Sequence, residues 1–215
     1  MNCKQAGLFL SGATLLLSLP ACNGIFEGIY DMSTSGTGNE YGFILVDEGA
    51  RTGRIYIDAT DYTEWHYVDL HGKQVTTTQV GDAAPETWDF AVHRYDTKTN
   101  GGTVWESQAG SFDALPAPES VSEEQWTEDE WTTDRITIDM SQMMDGIILY
   151  AEDYWNPTLS RWLNVDTSTM PPIYTLSGKI YLLRLKDGTC AALRLANFMN
   201  DAAVKGYMTL SLIHI

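Results

Sequence analysis

Cysteine is scarce in this 215-residue chain, with three residues at positions 3, 22 and 190. Positive charge is scarce as well. Thirteen Lys and Arg stand against 29 Asp and Glu, a formal net charge of −16. Such a chain repels phosphate, and with no basic stripe to offset that, nucleic acid is set aside as a partner. There is no Cys-x-x-Cys pair, no phosphate-cradling glycine loop and no dinucleotide fingerprint. No serine or cysteine nucleophile motif comes with an ordered base, so catalysis is not indicated and no enzyme is expected. Beyond residue 17 no apolar run approaches the length needed to cross a bilayer.

What is present begins with Lys4, an apolar run from Ala6 to Leu17, and then Leu19-Pro20-Ala21-Cys22. This is a signal peptide, residues 1–21, with a lipoprotein-type cleavage box. Cleavage puts Cys22 at the new N-terminus, where its thiol can be diacylated, so the protein is expected to be anchored in the outer membrane by lipid rather than to span it. The 194 residues that remain carry 12 basic and 29 acidic groups. Cys190 is then the one cysteine left for the folded part, which excludes an internal disulfide in an otherwise oxidising compartment. It lies in a strand-like run and reads as a small buried hydrophobe. Residues 22–41, rich in Gly, Ser and Thr, read as a flexible tether, and 42–215 as one domain.

Ten segments carry strand character: Ile55–Asp58, Trp65–His71, Trp88–Tyr95, Thr103–Glu106, Arg135–Asp139, Ile147–Ala151, Arg161–Val165, Lys179–Leu185, Cys190–Phe198 and Gly206–Leu210. They are rich in β-branched and aromatic residues, and His71-Gly72, Asn100-Gly101, Asp145-Gly146 and Asp187-Gly188 punctuate them. The expectation is an all-β, single domain of many short antiparallel strands, meander- or sandwich-like, with one turn of helix near Asn200–Lys205. The acidic segment Pro116–Asp134 reads as a solvated loop. In the stretch Trp88–Gly102, WDFAVHRYDTKTNGG, Trp88, Phe90 and Val92 alternate with Asp89, Ala91, His93 and Tyr95 as in a half-buried strand. Asn100-Gly101-Gly102 then reads as a hairpin turn, with Thr103-Val104-Trp105 as the returning strand. The terminal LSLIHI, 210–215, also matches one reading frame of a common sequencing-library adapter, so His214 carries no functional weight.

That stretch resembles the HmuY family of haem-binding lipoproteins. IYIDATDYTEWHYVDL (Ile55–Leu70) is similar to the family's opening strand pair. ITIDM and WLNVDTSTMPPIYTLSGKIYLLRLKDG are similar to its ligand-carrying half. The resemblance implies an all-β haemophore that captures haem and delivers it to a TonB-dependent outer-membrane receptor, on the cell surface or released from it. It also implies two axial histidines, yet the shared flanking residues put Ile147 and Thr167 at those positions. A bis-histidine site there is excluded.

Methionine stands close to both positions. Met143 and Met144 precede the Asp145-Gly146 turn, and Met170 lies in the DTSTMPP loop, stiffened by Pro171-Pro172. A thioether is a neutral, polarisable ligand that serves haem iron in cytochromes, and methionine-ligating members are part of what the resemblance implies. Met170 with either Met143 or Met144 is therefore the expected ligand set, with the choice between the two left open. Met140 and Met199 read as core residues. Trp162, Leu163, Tyr174 and Tyr150 are candidate walls, and Arg161 or Lys179 a candidate partner for propionates. His93 reads as a structural histidine, and His66 and His71 as lacking metal-ligand company. A surface glycan-binding module using Trp105, Trp126, Trp131 and Trp155 is the alternative, and a subunit of an uptake complex that has lost its iron ligands is a third reading.

Overall fold

The computed structural model describes residues 41–47, 49 and 52–214; the signal peptide, Cys22 and the tether lie outside them. Fourteen strands run through this part: β1 (Gly42–Asp47), β2 (Thr52–Asp58), β3 (Glu64–Asp69), β4 (Gln74–Gln79), β5 (Phe90–His93), β6 (Asp96–Thr99), β7 (Thr103–Ser107), β8 (Glu130–Asp139), β9 (Leu149–Trp155), β10 (Leu163–Asp166), β11 (Ile173–Leu176), β12 (Ile180–Arg184), β13 (Cys190–Met199) and β14 (Lys205–His214). They form a six-stranded sheet, β1-β2-β14-β13-β12-β7, and a four-stranded sheet, β4-β3-β5-β6. Two separate hairpins, β8-β9 and β10-β11, complete the set.

The main core joins the two sheets face to face. Ile55, Ile57, Leu183, Leu193 and Leu210 from the larger sheet meet Val68, Phe90 and Val92 from the smaller one, with Trp162 between strands. The opposite face of the larger sheet is covered too. Ile180, Leu182, Ala192 and Ile213 pack there against Phe112, Leu115, Val121 and Trp126. Strand β12 is thus buried on both faces, which is why its sequence, Ile-Tyr-Leu-Leu, is a continuous apolar run rather than an alternation. On the outer face of the smaller sheet, Trp65, Tyr67 and Ala91 receive Ile136 of β8, with Ala151 and Trp155 of β9 beside them. The β8-β9 hairpin is therefore a lid on that sheet.

The all-β expectation holds, with differences in detail. The hairpin in the Trp88–Gly102 block turns earlier than expected. β5 pairs with β6 through a turn at Arg94, whose φ of 53° is held by its own guanidinium donating to the Ala59 carbonyl at 2.7 Å. Asn100-Gly101-Gly102 is instead a crossover that sends β7 to the other sheet, against β12. A side chain at Gly102 would meet the Arg184 carbonyl at 2.6 Å, so the chain passes that strand closer than any other residue allows. β5 is buried on both faces rather than half-buried.

β4 and β6 escaped the sequence reading because QVTTTQ and DTKT lack an apolar stripe. β11 escaped because it is four residues long and directly follows Pro171-Pro172, although Ile-Tyr-Thr-Leu is strand-prone. No helix forms at Asn200–Lys205, where a turn leads into β14. Short 3-10 turns form instead at Phe112–Ala114, Pro118–Ser120, Glu123–Gln125, Met143–Asp145 and Leu159–Trp162. The acidic segment is not simply solvated. Val121 and Trp126 anchor it on the larger sheet, Arg184 lies 4.3 Å over the Trp126 ring while binding both oxygens of Glu123, and from Glu130 it continues as β8.

Candidate functional site

The two hairpins outside the main sheets carry all three expected ligand residues. The β8-β9 hairpin is rooted where Lys98 of β6 is buried. Its ammonium lies 2.8 Å from Asp153 Oδ2 and 4.1 Å from the centre of the Trp65 ring. A hydrogen bond from the Asn156 N–H to the Thr97 carbonyl, at 2.6 Å, holds the same root. The β10-β11 hairpin is rooted where Tyr174 stacks on Phe198 at 5.7 Å and meets Tyr95 edge-on at 6.3 Å. Rigid roots leave the tips projecting.

Met143 and Met144 lie in the 3-10 turn at the first tip. Met143 is 36 % exposed and Met144 86 %. Met170 lies in the second tip and is 71 % exposed. The Met170-Pro171 peptide bond is cis. Apolar side chains flank both tips in the open: Ile147, Leu149 and Tyr150 on the first hairpin, Ile173 on the second. Thioethers set among uncovered apolar side chains fit a flat apolar ligand that offers a soft metal ion. Ile147, which the sequence resemblance puts at an expected histidine position, belongs to this exposed set.

One feature went unseen in the sequence. The Lys205 ammonium lies 4.0 Å over the Tyr174 ring and 3.5 Å from the Pro172 carbonyl, so a positive charge is held against the loop that carries Met170. Thirty-three residues separate Lys205 from Pro172, and only the β13-β14 hairpin brings them together. The two expected cations are engaged elsewhere. Arg161 lies 3.5 Å from Glu106, and Lys179 donates to Gln108 Oε1 at 2.6 Å. Among the expected walls, Trp162 and Leu163 are core residues, with the Trp162 indole donating to the Tyr95 carbonyl, and Tyr174 is partly buried. Tyr150 alone is exposed.

Two cavities, of about 480 and 530 Å³, lie away from the methionines. Trp88, Lys98, Asp129 and Asp153 line the first, and Tyr56, Asp58, Asp61 and His66 line the second. Projecting tips form an open surface rather than an enclosed space, so volume is a poor guide to this site. The histidines inside the sandwich are structural. His93 is fully buried, with Nε2 2.8 Å from the Tyr62 carbonyl, and burial pushes its imidazole down to about 4. His66 is buried with Nδ1 2.9 Å from Thr77 Oγ1, and burial lowers it as well. Of the four tryptophans of the glycan reading, Trp126 is buried, while Trp105 and Trp155 pack against core clusters. Trp131 alone is largely exposed, edge-on to Tyr154 at 5.1 Å. One exposed ring does not make the aromatic platform that reading needs.

Comparisons with known proteins agree with the fold. The family model described as HmuY protein matches residues 61–211. A solved protein of Bacteroides vulgatus, described as HmuY-like and heme binding, is 53 % identical; the match covers 81 % of this chain and 97 % of that one, with a TM-score of 0.75. One from Bacteroides fragilis, described as a lipoprotein, is 49 % identical over 83 % of this chain and 97 % of its own, with a TM-score of 0.76. The apo form of an HmuY analogue from Tannerella forsythia, 23 % identical over 75 % of this chain and 94 % of its own, shares the fold with a TM-score of 0.63. No curated protein sequence matches.

Proposed function

We propose, because this chain belongs to the HmuY family, that it is a haem-binding surface lipoprotein, a haemophore that captures haem and delivers it to an outer-membrane transporter. The observation that carries the reading is the presence of exposed methionines on the tips of two separately rooted hairpins, flanked by exposed apolar side chains. Met170 on one tip, with Met143 or Met144 on the other, would hold the iron through thioethers, and Ile147, Leu149, Tyr150 and Ile173 would cover the macrocycle. Lys205, fixed against the Met170 loop, would offset a propionate in a chain whose net charge is otherwise unfavourable for an anion. Lipid at Cys22 would keep the domain at the outer membrane, and the segment up to residue 41 would give it reach. Haem, if bound there, would supply an iron that accepts thioether sulfur from Met170 and from Met143 or Met144, and soft sulfur suits reduced iron best.

The test is the visible absorption spectrum of the full chain titrated with oxidised and reduced haem, beside Met170→Ala. A sharp low-spin Soret band in the reduced state, abolished by the substitution, is the expected result. No spectral change with the wild-type chain would overturn haem binding and return the uptake-subunit reading to the front. A normal spectrum from Met170→Ala would overturn the ligand assignment alone.

A further inference from the structure

Spacing along the chain leaves His71 without metal-ligand company, yet folding supplies it. His71 lies in the turn after β3, next to Asp69 at the end of that strand. Asp89 leads into β5, and Asp187 sits in the turn between β12 and β13. One ligand atom each from Asp69, His71 and Asp89 lie within 4.8 Å of one another. None of these residues belongs to the methionine hairpins.

The carboxylates are oriented in advance. Asp69 accepts the Gly72 N–H at 2.6 Å and the Thr87 hydroxyl at 2.9 Å, and Asp89 accepts the Leu70 N–H at 2.7 Å. The His71 ring presents its two nitrogens to different partners. Nδ1 lies 3.8 Å from Asp89 Oδ2, and Nε2 lies 3.3 Å from Asp187 Oδ2. A carboxylate that accepts a hydrogen bond from Nε2–H keeps the proton on that nitrogen and leaves the lone pair on Nδ1, on the side of Asp89, the arrangement by which outer carboxylates orient metal-binding imidazoles.

We propose that Asp69, His71 and Asp89 bind a divalent transition-metal ion, with Asp187 orienting the His71 imidazole and water completing the shell. Mixed imidazole and carboxylate donors suit zinc and its neighbours, whereas calcium takes oxygen alone. Zinc bonds of about 2.1 Å place tetrahedral ligand atoms about 3.4 Å apart, so the Nδ1 to Asp89 separation of 3.8 Å closes by about 0.4 Å, and the widest separation in the cluster, at most 4.8 Å, by no more than about 1.4 Å. The half-exposed His71 side chain can supply that movement. The ion would link the β3-β4 turn of one sheet to the β12-β13 turn of the other through the Asp187–His71 contact.

The experiment is a calorimetric titration of zinc into the full chain, with calcium in parallel, on wild type, His71→Gln and Asp187→Asn. Expected are one zinc per chain, a loss of affinity of at least about 100-fold in His71→Gln, and a loss of about 10- to 100-fold in Asp187→Asn. Perturbation of the His71 ring resonances by zinc in the wild-type chain gives a readout independent of any variant's folding. Absence of saturable zinc binding would overturn the proposal. So would zinc binding undiminished in His71→Gln, or equal binding of calcium, either of which would reduce the cluster to an acidic patch.

Discussion

In the proposed haem site one residue, Lys205, would set ligand chemistry. Its ammonium is placed by Tyr174 and by the Pro172 carbonyl, so its contribution would depend on the ligand's carboxylates rather than on the iron. Lys205→Gln is expected to weaken haem binding about 10- to 100-fold, since a charge-assisted hydrogen bond contributes about 1.5–3 kcal/mol. Binding of the dimethyl ester of haem should be unchanged. Equal losses for both ligands would show that Lys205 acts through packing. A second pair of residues governs pH dependence. Burial lowers His93 to about 4, so the unfolded chain binds this proton more readily than the folded one. That stabilisation is complete above about pH 6.5 and is lost as pH falls toward 4, a change of about 3 kcal/mol. Asp96 works in the opposite sense: burial raises it to about 7, so its stabilisation is present in acid and is lost as pH rises from about 4 through 7. The two trends oppose each other between about pH 4 and 6.5, so denaturant titrations should find a steeper loss of stability on acidification in Asp96→Asn than in the wild-type chain. A flat profile in the variant would refute the role given to His93.

Among the elements, the joint between the two sheets decides where the hairpins stand. Gly206 is the second residue of β14, its carbonyl accepts the Ala59 N–H at 2.9 Å, and its φ is 106°. A Cβ there would lie 2.6 Å from Arg94 Nη1 and 2.9 Å from the Ala59 carbonyl. Arg94 is the turn of the smaller sheet and Ala59 follows β2 of the larger one, so this contact knits the two layers. Gly206→Ala is expected to cost more than about 2 kcal/mol, combining left-handed strain with displacement of the guanidinium. Equilibrium denaturation measures it, and a loss below 1 kcal/mol would mean that the joint yields easily. Backbone conformation at this position is invisible in composition, because a glycine near the start of a strand is more often a turn signal than a packing requirement.

At the scale of the whole molecule, thioether ligation predicts a characteristic condition dependence. Thioethers do not titrate near neutral pH, whereas an imidazole must lose its proton to bind iron. Affinity for haem should change little between pH 6 and 8, and reduced haem should bind more tightly than oxidised. Spectroscopic titration in both redox states checks this. Tight oxidised-state binding that vanishes below pH 6 would point to histidine ligation instead.

How much of this was legible beforehand differs by level. Strands such as β12 and β13 were readable because their apolar runs are bounded by the Asp187-Gly188 turn signal, and the resemblance to the family singled out the methionines at the two tips. The glycines after Asn100 misled, since a turn signal does not say which sheet receives the next strand. Local composition and periodicity thus determined the all-β class and the strand-rich segments, and the family resemblance pointed to the loops that carry sulfur. Tertiary structure alone decided that Trp162 and Leu163 are core and not wall, that Lys205 rather than Arg161 or Lys179 lies against the Met170 loop, and that His71 meets Asp69, Asp89 and Asp187. Each of those outcomes depends on contacts between residues distant along the chain, brought together by strand register and sheet packing, which periodicity within one segment does not encode.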